Sequence, residues 1–139
     1  MIVDVSPDQP GVLLDTTVFV ATESGRAIHG LDPDQSVAIS VVTVAELKAG
    51  VLAAADTATR AQRMATVDLA GSLPCLPIDE YVADAWAALR VGVAEAGRRV
   101  NVNDLWIAAT AIRHGLAVAT QDGDFDALAQ ITDLQVIRV

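Results

Sequence analysis

Short apolar runs recur along the chain, each closed by a polar residue and followed by a longer stretch with helical spacing. Val12-Leu13-Leu14 reads as a buried strand ending at Asp15, with a helix from Thr16 to Ala21 that stops near Gly25. Residues 29–35 hold Gly30 and Pro33 among polar neighbours and break any period, which predicts a loop. Val37 to Val41 is β-branched and shows no alternation, as a strand covered on both faces should. Val44, Leu47, Val51 and Leu52 then fall at i, i+3, i+7 and i+8, placing Glu46 about one turn into a helix.

The same alternation continues to the end. A helix is predicted over 56–72, opened by Asp56 or Thr57. Cys75 to Ile78 is a short strand, and Pro77 marks an edge or a strand end. Asp79 caps a long helix through about Ala96, with Val82, Trp86, Leu89 and Val93 on one face. Asn101-Val102-Asn103-Asp104 leads into a helix from Leu105 to His114, with Asp104 as a plausible cap and Gly115 as the stop. Leu116 to Thr120 is a third buried strand. An acidic turn, a helix from Phe125 to Gln130 and a strand from Gln135 to Val139 complete the chain. Apolar strands alternating with helices predict a three-layer α/β/α sandwich around a mostly parallel sheet. With no repeat or linker, residues 1–139 read as a single domain.

Composition narrows the function. Hydrophobic residues at 53% and charged ones at 19% supply a core and exclude a disordered chain. The net charge of −9 and a pI near 4.3 argue against a protein that coats duplexes through basic patches. One cysteine, Cys75, excludes a disulfide framework and fits a reducing cytoplasm; it is expected to be a small buried hydrophobe. No apolar run approaches the roughly 18 residues that span a bilayer. The N-terminal MIVDVSPDQPG lacks the basic start and apolar stretch of a signal peptide, so a cytoplasmic location is expected.

The kind of acid changes the picture further. Fourteen of the eighteen acidic residues are Asp, which favours caps, turns and metal shells over helix interiors. In an open parallel sheet, ligands bind beyond the carboxyl ends of the strands. Asp15 follows the first strand, Asp122 and Asp124 follow the strand ending at Thr120, and Glu46 and Asp104 lie near helix starts. These five acids can meet on one edge. Two carboxylates about 4 Å apart repel by roughly 4 kcal/mol at an effective dielectric near 20, so such a cluster calls for cations. An oxygen-only donor set selects a hard ion, Mg²⁺ or Mn²⁺, of the kind used for in-line phosphodiester cleavage.

Four stretches taken together resemble the PIN-domain ribonucleases, above all the VapC toxins of bacterial toxin–antitoxin pairs. They are Val12-Leu13-Leu14-Asp15-Thr16-Thr17-Val18, Ile39 to Leu47 with Gly50, Asn103 to Ala111, and Ala119-Thr120-Gln121-Asp122-Gly123-Asp124-Phe125. The resemblance implies that Asp15, Glu46, Asp104 and Asp122 hold Mg²⁺ or Mn²⁺, with Asp124 as a fifth acid that ligates or supports. Thr16 and Thr120 would orient the carboxylates. It further implies metal-activated water attacking RNA to leave a 5′-phosphate and a 3′-hydroxyl, a homodimer, and a cognate VapB-type antitoxin that wraps the toxin in a larger hetero-oligomer. Two departures stand out: an extension of about ten residues before the first strand, and few basic residues to grip RNA.

Other readings compete at each position. Asp15 and Asp104 could simply cap helices, Glu46 could be a surface glutamate, and Asp122 and Asp124 could flank an ordinary turn. Arg98 and Arg99 are the candidates for holding an RNA backbone, against a solvated pair at a helix end. Asp126 is expected on a solvent face, His114 at the terminal carbonyls of its helix, and Trp86 and Trp106 in the core or a dimer interface. Two alternatives to the nuclease remain: the same fold kept as an inactive protein-binding scaffold, or a phosphoaspartyl hydrolase. The second wants another Asp two positions after Asp15, where this chain has Thr17.

Overall fold

The computed structural model describes residues 11–139. The N-terminal extension, with its expected lack of a leader, lies outside them. The elements are β1 (Val12–Leu14), α1 (Thr16–Glu23), β2 (Val37–Ser40), α2 (Val41–Leu52), α3 (Thr57–Ala70) and β3 (Cys75–Leu76). They continue with α4 (Glu80–Glu95), α5 (Val102–His114), β4 (Ala117–Thr120), α6 (Asp126–Ile131) and β5 (Val136–Arg138). The strands form one parallel sheet in the order β3-β2-β1-β4-β5. β1 sits at the centre, with Leu14 paired to Ile39 on one side and Ala119 on the other.

Alternation along these short strands sorts the core into two layers. Leu13, Ala38, Leu76 and Val118 pack against Val82, Leu89, Leu105, Ile107 and Phe125, so α4, α5 and the start of α6 cover that face. Val12, Leu14, Ile39 and Ala119 pack against Val18, Phe19, Leu47 and Ala70, so α1, α2 and α3 cover the other. This is the expected α/β/α sandwich, with every strand parallel. Pro77 follows β3, which is an edge strand. No helix among the described residues is long and apolar enough to cross a membrane.

Several boundaries move for local reasons. β2 stops at Ser40, not Val41, because the Ser40 hydroxyl accepts the Val42 N–H at 3.0 Å and caps α2. α5 begins at Val102, three residues earlier than the apolar pattern suggested. Its cap is Asn101, whose side chain accepts the Asn103 N–H at 2.8 Å, and not Asp104, which lies inside the first turn. Gly115 ends α5 at φ +67°, a left-handed position, and Leu116 N–H reaches back to Ala111 O. Cys75 is exposed, not buried: in the two-residue strand β3 it is Leu76 that points into the core. Trp86 and Trp106 stack at 4.8 Å between ring centroids and pack, half-buried, on the α4–α5 side of the core.

Candidate active site

The carboxyl ends of β1, β2 and β4 open on one edge of the sheet, and Asp15 stands at its centre. Asp15 occupies the position before α1, yet its carboxylate makes no cap bond to that helix. Instead Oδ2 accepts two hydroxyls, from Thr17 at 2.8 Å and Thr120 at 3.0 Å. The residue is 3% exposed, and burial raises its carboxyl above the usual range despite both bonds. Thr120 closes β4 directly beside β1. Its hydroxyl also accepts the Asp122 N–H at 3.2 Å, which ties the acidic turn to the same strand end.

Glu46 projects from α2 towards α1, where Thr16 donates to its Oε1 at 2.7 Å. The oxygen of Thr43, fully buried on α2, lies 3.3 Å from that of Thr16. Asp122 Oδ1 accepts the Asp124 N–H at 3.0 Å, a local turn that leaves Asp124 exposed. Asp104 enters from the first turn of α5. A helix start should favour its charge, but burial and the charges of Asp15, Asp124, Asp122 and Glu46 raise its carboxyl to about 7. Burial is the largest of these causes. All five acids therefore act on one locality. Among the described residues, no three His, Cys, Asp or Glu side chains are gathered as a ready metal-holding group; the acids share a field without meeting at one point.

Every candidate donor is a carboxylate oxygen, the set suited to a hard divalent cation. Asp104 lies in the field of four like charges, which a divalent ion would offset. The residues thus fit such an ion in type and charge.

Arg98 and Arg99 are exposed in the turn between α4 and α5, and Arg98 donates to Gln130 at 2.8 Å. Asp126 is exposed on α6 and pairs with Arg138 at 3.6 Å. His114, buried at the end of α5, has no partner for its Nδ1 among the described residues, and burial lowers its pKa. A cleft of about 680 Å³ between α4, α5 and residues 131–135 opens at the amino ends of β4 and β5. Among the described residues, Asp133 is the only ionisable side chain lining it, so it holds none of this chemistry.

Three participants escaped sequence reasoning. Thr17 is the first: its hydroxyl donates to Asp15 and accepts the Gln121 N–H at 3.0 Å. Thr17 stands where a phosphoaspartyl hydrolase would carry its second Asp, and its hydroxyl is engaged with Asp15 and Gln121. Gln121 is the second, bridging to Val139 O at 2.6 Å. Arg63 is the third, from α3, donating to Gly50 O at 2.6 Å and lining a cleft with Glu46. Only Thr17 had a sequence signal, its place two residues after Asp15. Replacing Thr17 by Val should raise the Asp15 carboxyl further and cost about 1–3 kcal/mol of stability, since the Gln121 N–H also loses its acceptor. A carboxyl NMR titration with a urea melt checks both, and an unmoved Asp15 would refute the hydroxyl's role.

The PIN domain family model matches residues 12–131. Ribonuclease VapC5 of Mycobacterium tuberculosis is 54% identical over 128 residues, covering 91% of this chain and 94% of that protein. Ribonuclease VapC4 of the same organism is 43% identical over 131 residues, covering 91% and 95%. The crystal structure of VapBC-5 from M. tuberculosis, a member of the VapBC family of toxin–antitoxin systems, superposes with a TM-score of 0.80 at 49% identity. That match covers 94% of this chain and 100% of the other.

Proposed function

The chain belongs to the PIN-domain family, and from that premise we propose that it is a metal-dependent endoribonuclease, the toxin of a VapBC-type pair. The observation that carries the metal dependence is Asp104, raised to about 7 among four other carboxylates. The ribonuclease activity and the antitoxin partner are supported by the similarity to VapC5, VapC4 and the VapBC-5 complex.

Asp15, Glu46, Asp104 and Asp122 would hold the ion, with Asp124 beside them. Mg²⁺ or Mn²⁺, when bound, supplies positive charge against a phosphate and makes a water acidic enough to attack it. The chain supplies the rest. Thr17 and Thr120 hold Asp15 at one oxygen, which leaves its other oxygen facing away from those hydroxyls. Thr16 fixes Glu46 from the opposite wall. The Asp122 turn is pinned to Thr120 by a backbone bond. Such outer partners set the orientation of a carboxylate before an ion arrives.

The test is RNA cleavage by the purified chain, free of antitoxin, in Mg²⁺, Mn²⁺ and EDTA. Cleavage with either metal, lost in EDTA and regained with excess metal, is the expected result. Cleavage that persists in EDTA would overturn the metal mechanism.

A further inference from the structure

Gln121 and Asp122 share one peptide unit, and both of its polar groups are held. The Asp122 N–H donates to Thr120 Oγ1 at 3.2 Å, and the Gln121 carbonyl accepts from Arg138 Nη2 at 3.3 Å. Thr120 ends β4 and also donates to Asp15, so the first bond ties this unit to the centre of the site. The second comes from β5, where Arg138 lies opposite Thr120 in the parallel register. The guanidinium continues along the turn that follows. A β-carbon at Gly123 would lie 3.4 Å from Arg138 Nη1, and Nη1 is 3.6 Å from Asp126 Oδ2. Each of these contacts falls within residues 121–126, the segment that carries Asp122 and Asp124.

An arginine suits this place. Its donors lie in one rigid plane, so a single guanidinium can bond the Gln121 carbonyl and pair with Asp126 at once. The other groups of Gln121 are held elsewhere, its N–H by Thr17 and its Nε2 at Val139 O. By charge alone, a cation here would oppose the binding of a divalent ion, and Asp126 offsets part of that charge. What Arg138 adds is direction. With the carbonyl held, the Asp122 side chain leaves the backbone at a fixed angle to Asp15; with it released, the peptide unit can turn about the Thr120 bond. Resting on the metal-dependent reading, we infer that Arg138 is a positioning residue for Asp122. Its guanidinium fixes the Gln121–Asp122 peptide plane, so that Asp122 and Asp15 are presented to the cation together.

Arg138→Met and Arg138→Lys test this by Mn²⁺ calorimetry and by amide exchange in EDTA. Met keeps the stem without charge or donors, and Lys keeps the charge without the fork. Both should bind Mn²⁺ about tenfold more weakly, the lower end of what the outer partners of metal ligands contribute. In the metal-free protein the Asp122 and Asp124 amides should exchange about tenfold faster, as loss of one charge-assisted hydrogen bond predicts. The Val118 N–H bonds to Gln135 O and the Val139 N–H to Thr120 O, and these two amides, which hold β5 to β4, should not change. A Met variant that binds Mn²⁺ as tightly as wild type, or more tightly, overturns the proposal. So does a Lys variant equal to wild type, because charge would then suffice. Exchange that quickens equally at Val118 and Val139 means that the substitution frays β5, and overturns it too. A wild type that binds no Mn²⁺ overturns the metal reading and the proposal built on it. Unchanged exchange at Asp122 and Asp124, with wild-type binding intact, overturns the proposal alone.

Discussion

Asp104→Asn is expected to abolish RNA cleavage and, in the metal-free protein, to make the fold more stable. The two effects have opposite signs because one side chain causes both. Asp104 is a half-buried carboxylate in the field of Asp15, Asp124, Asp122 and Glu46. Its charge is what a cation would use and what the metal-free fold must tolerate. Asn keeps the shape and one acceptor oxygen but removes the charge. Loss of a ligand should exceed the 10–100-fold typical of outer partners, so a drop in rate of more than about a hundredfold is expected. At pH 8 in EDTA the variant should gain about 1–3 kcal/mol, read by urea denaturation. A variant both inactive and less stable would mean that Asp104 is a structural residue.

The second large effect is in the wild type, where stability without metal should fall as the pH rises from about 4 to about 7. An unfolded Asp ionises near its ordinary 3.8, whereas folded Asp104 holds its proton until about 7. Between those values the folded state binds more protons, so raising the pH favours unfolding. Below 3.8 the contribution is fully present, and above 7 it is gone. The whole interval is worth at most about 4 kcal/mol. Asp15, raised by burial, acts in the same direction. Urea melts in EDTA from pH 4 to 8 should show this slope in the wild type and a flatter one in Asp104→Asn. Added Mn²⁺ at pH 8 should restore about 2.7 kcal/mol once its concentration reaches a hundred times the dissociation constant. A slope unaltered by the substitution would place the titrating group elsewhere.

Much of the fold was legible because its signals are local. Continuous apolar runs at Val12–Leu14 and Val37–Ile39 mark strands covered on both faces. Gly115 marks a helix end by its backbone freedom. The acids at Asp15, Asp104 and Asp122 were legible as candidates because each sits at a predicted strand end or helix start. Where reading failed, the deciding contact was small or distant. Ser40 and Asn101 shift helix starts through single side-chain bonds that carry no period. Cys75 followed the average habit of cysteine, but a two-residue edge strand buries only its alternate position. Arg63 lines a cleft with Glu46 from 17 residues away in sequence, and Gln121, itself beside Asp122, reaches Val139, 18 residues further on. No local pattern announces such pairs.

The register of the central strands has a bearing on how this chain can change over generations. Leu14, Ile39 and Ala119 form one row across the sheet. The next position on each strand is Asp15, Ser40 and Thr120: a site acid, the cap of the Glu46 helix and the hydroxyl that holds Asp15. A substitution within the row alters packing at one point. A deletion or insertion within Val12–Leu14 does something different, because side chains alternate faces and a one-residue slip turns Asp15 away from Thr120. Length in β1 is therefore under tighter constraint than identity. Lineages of this protein can exchange one aliphatic residue for another there, but gain and lose residues only in segments such as 24–36 that are not in register with the acids.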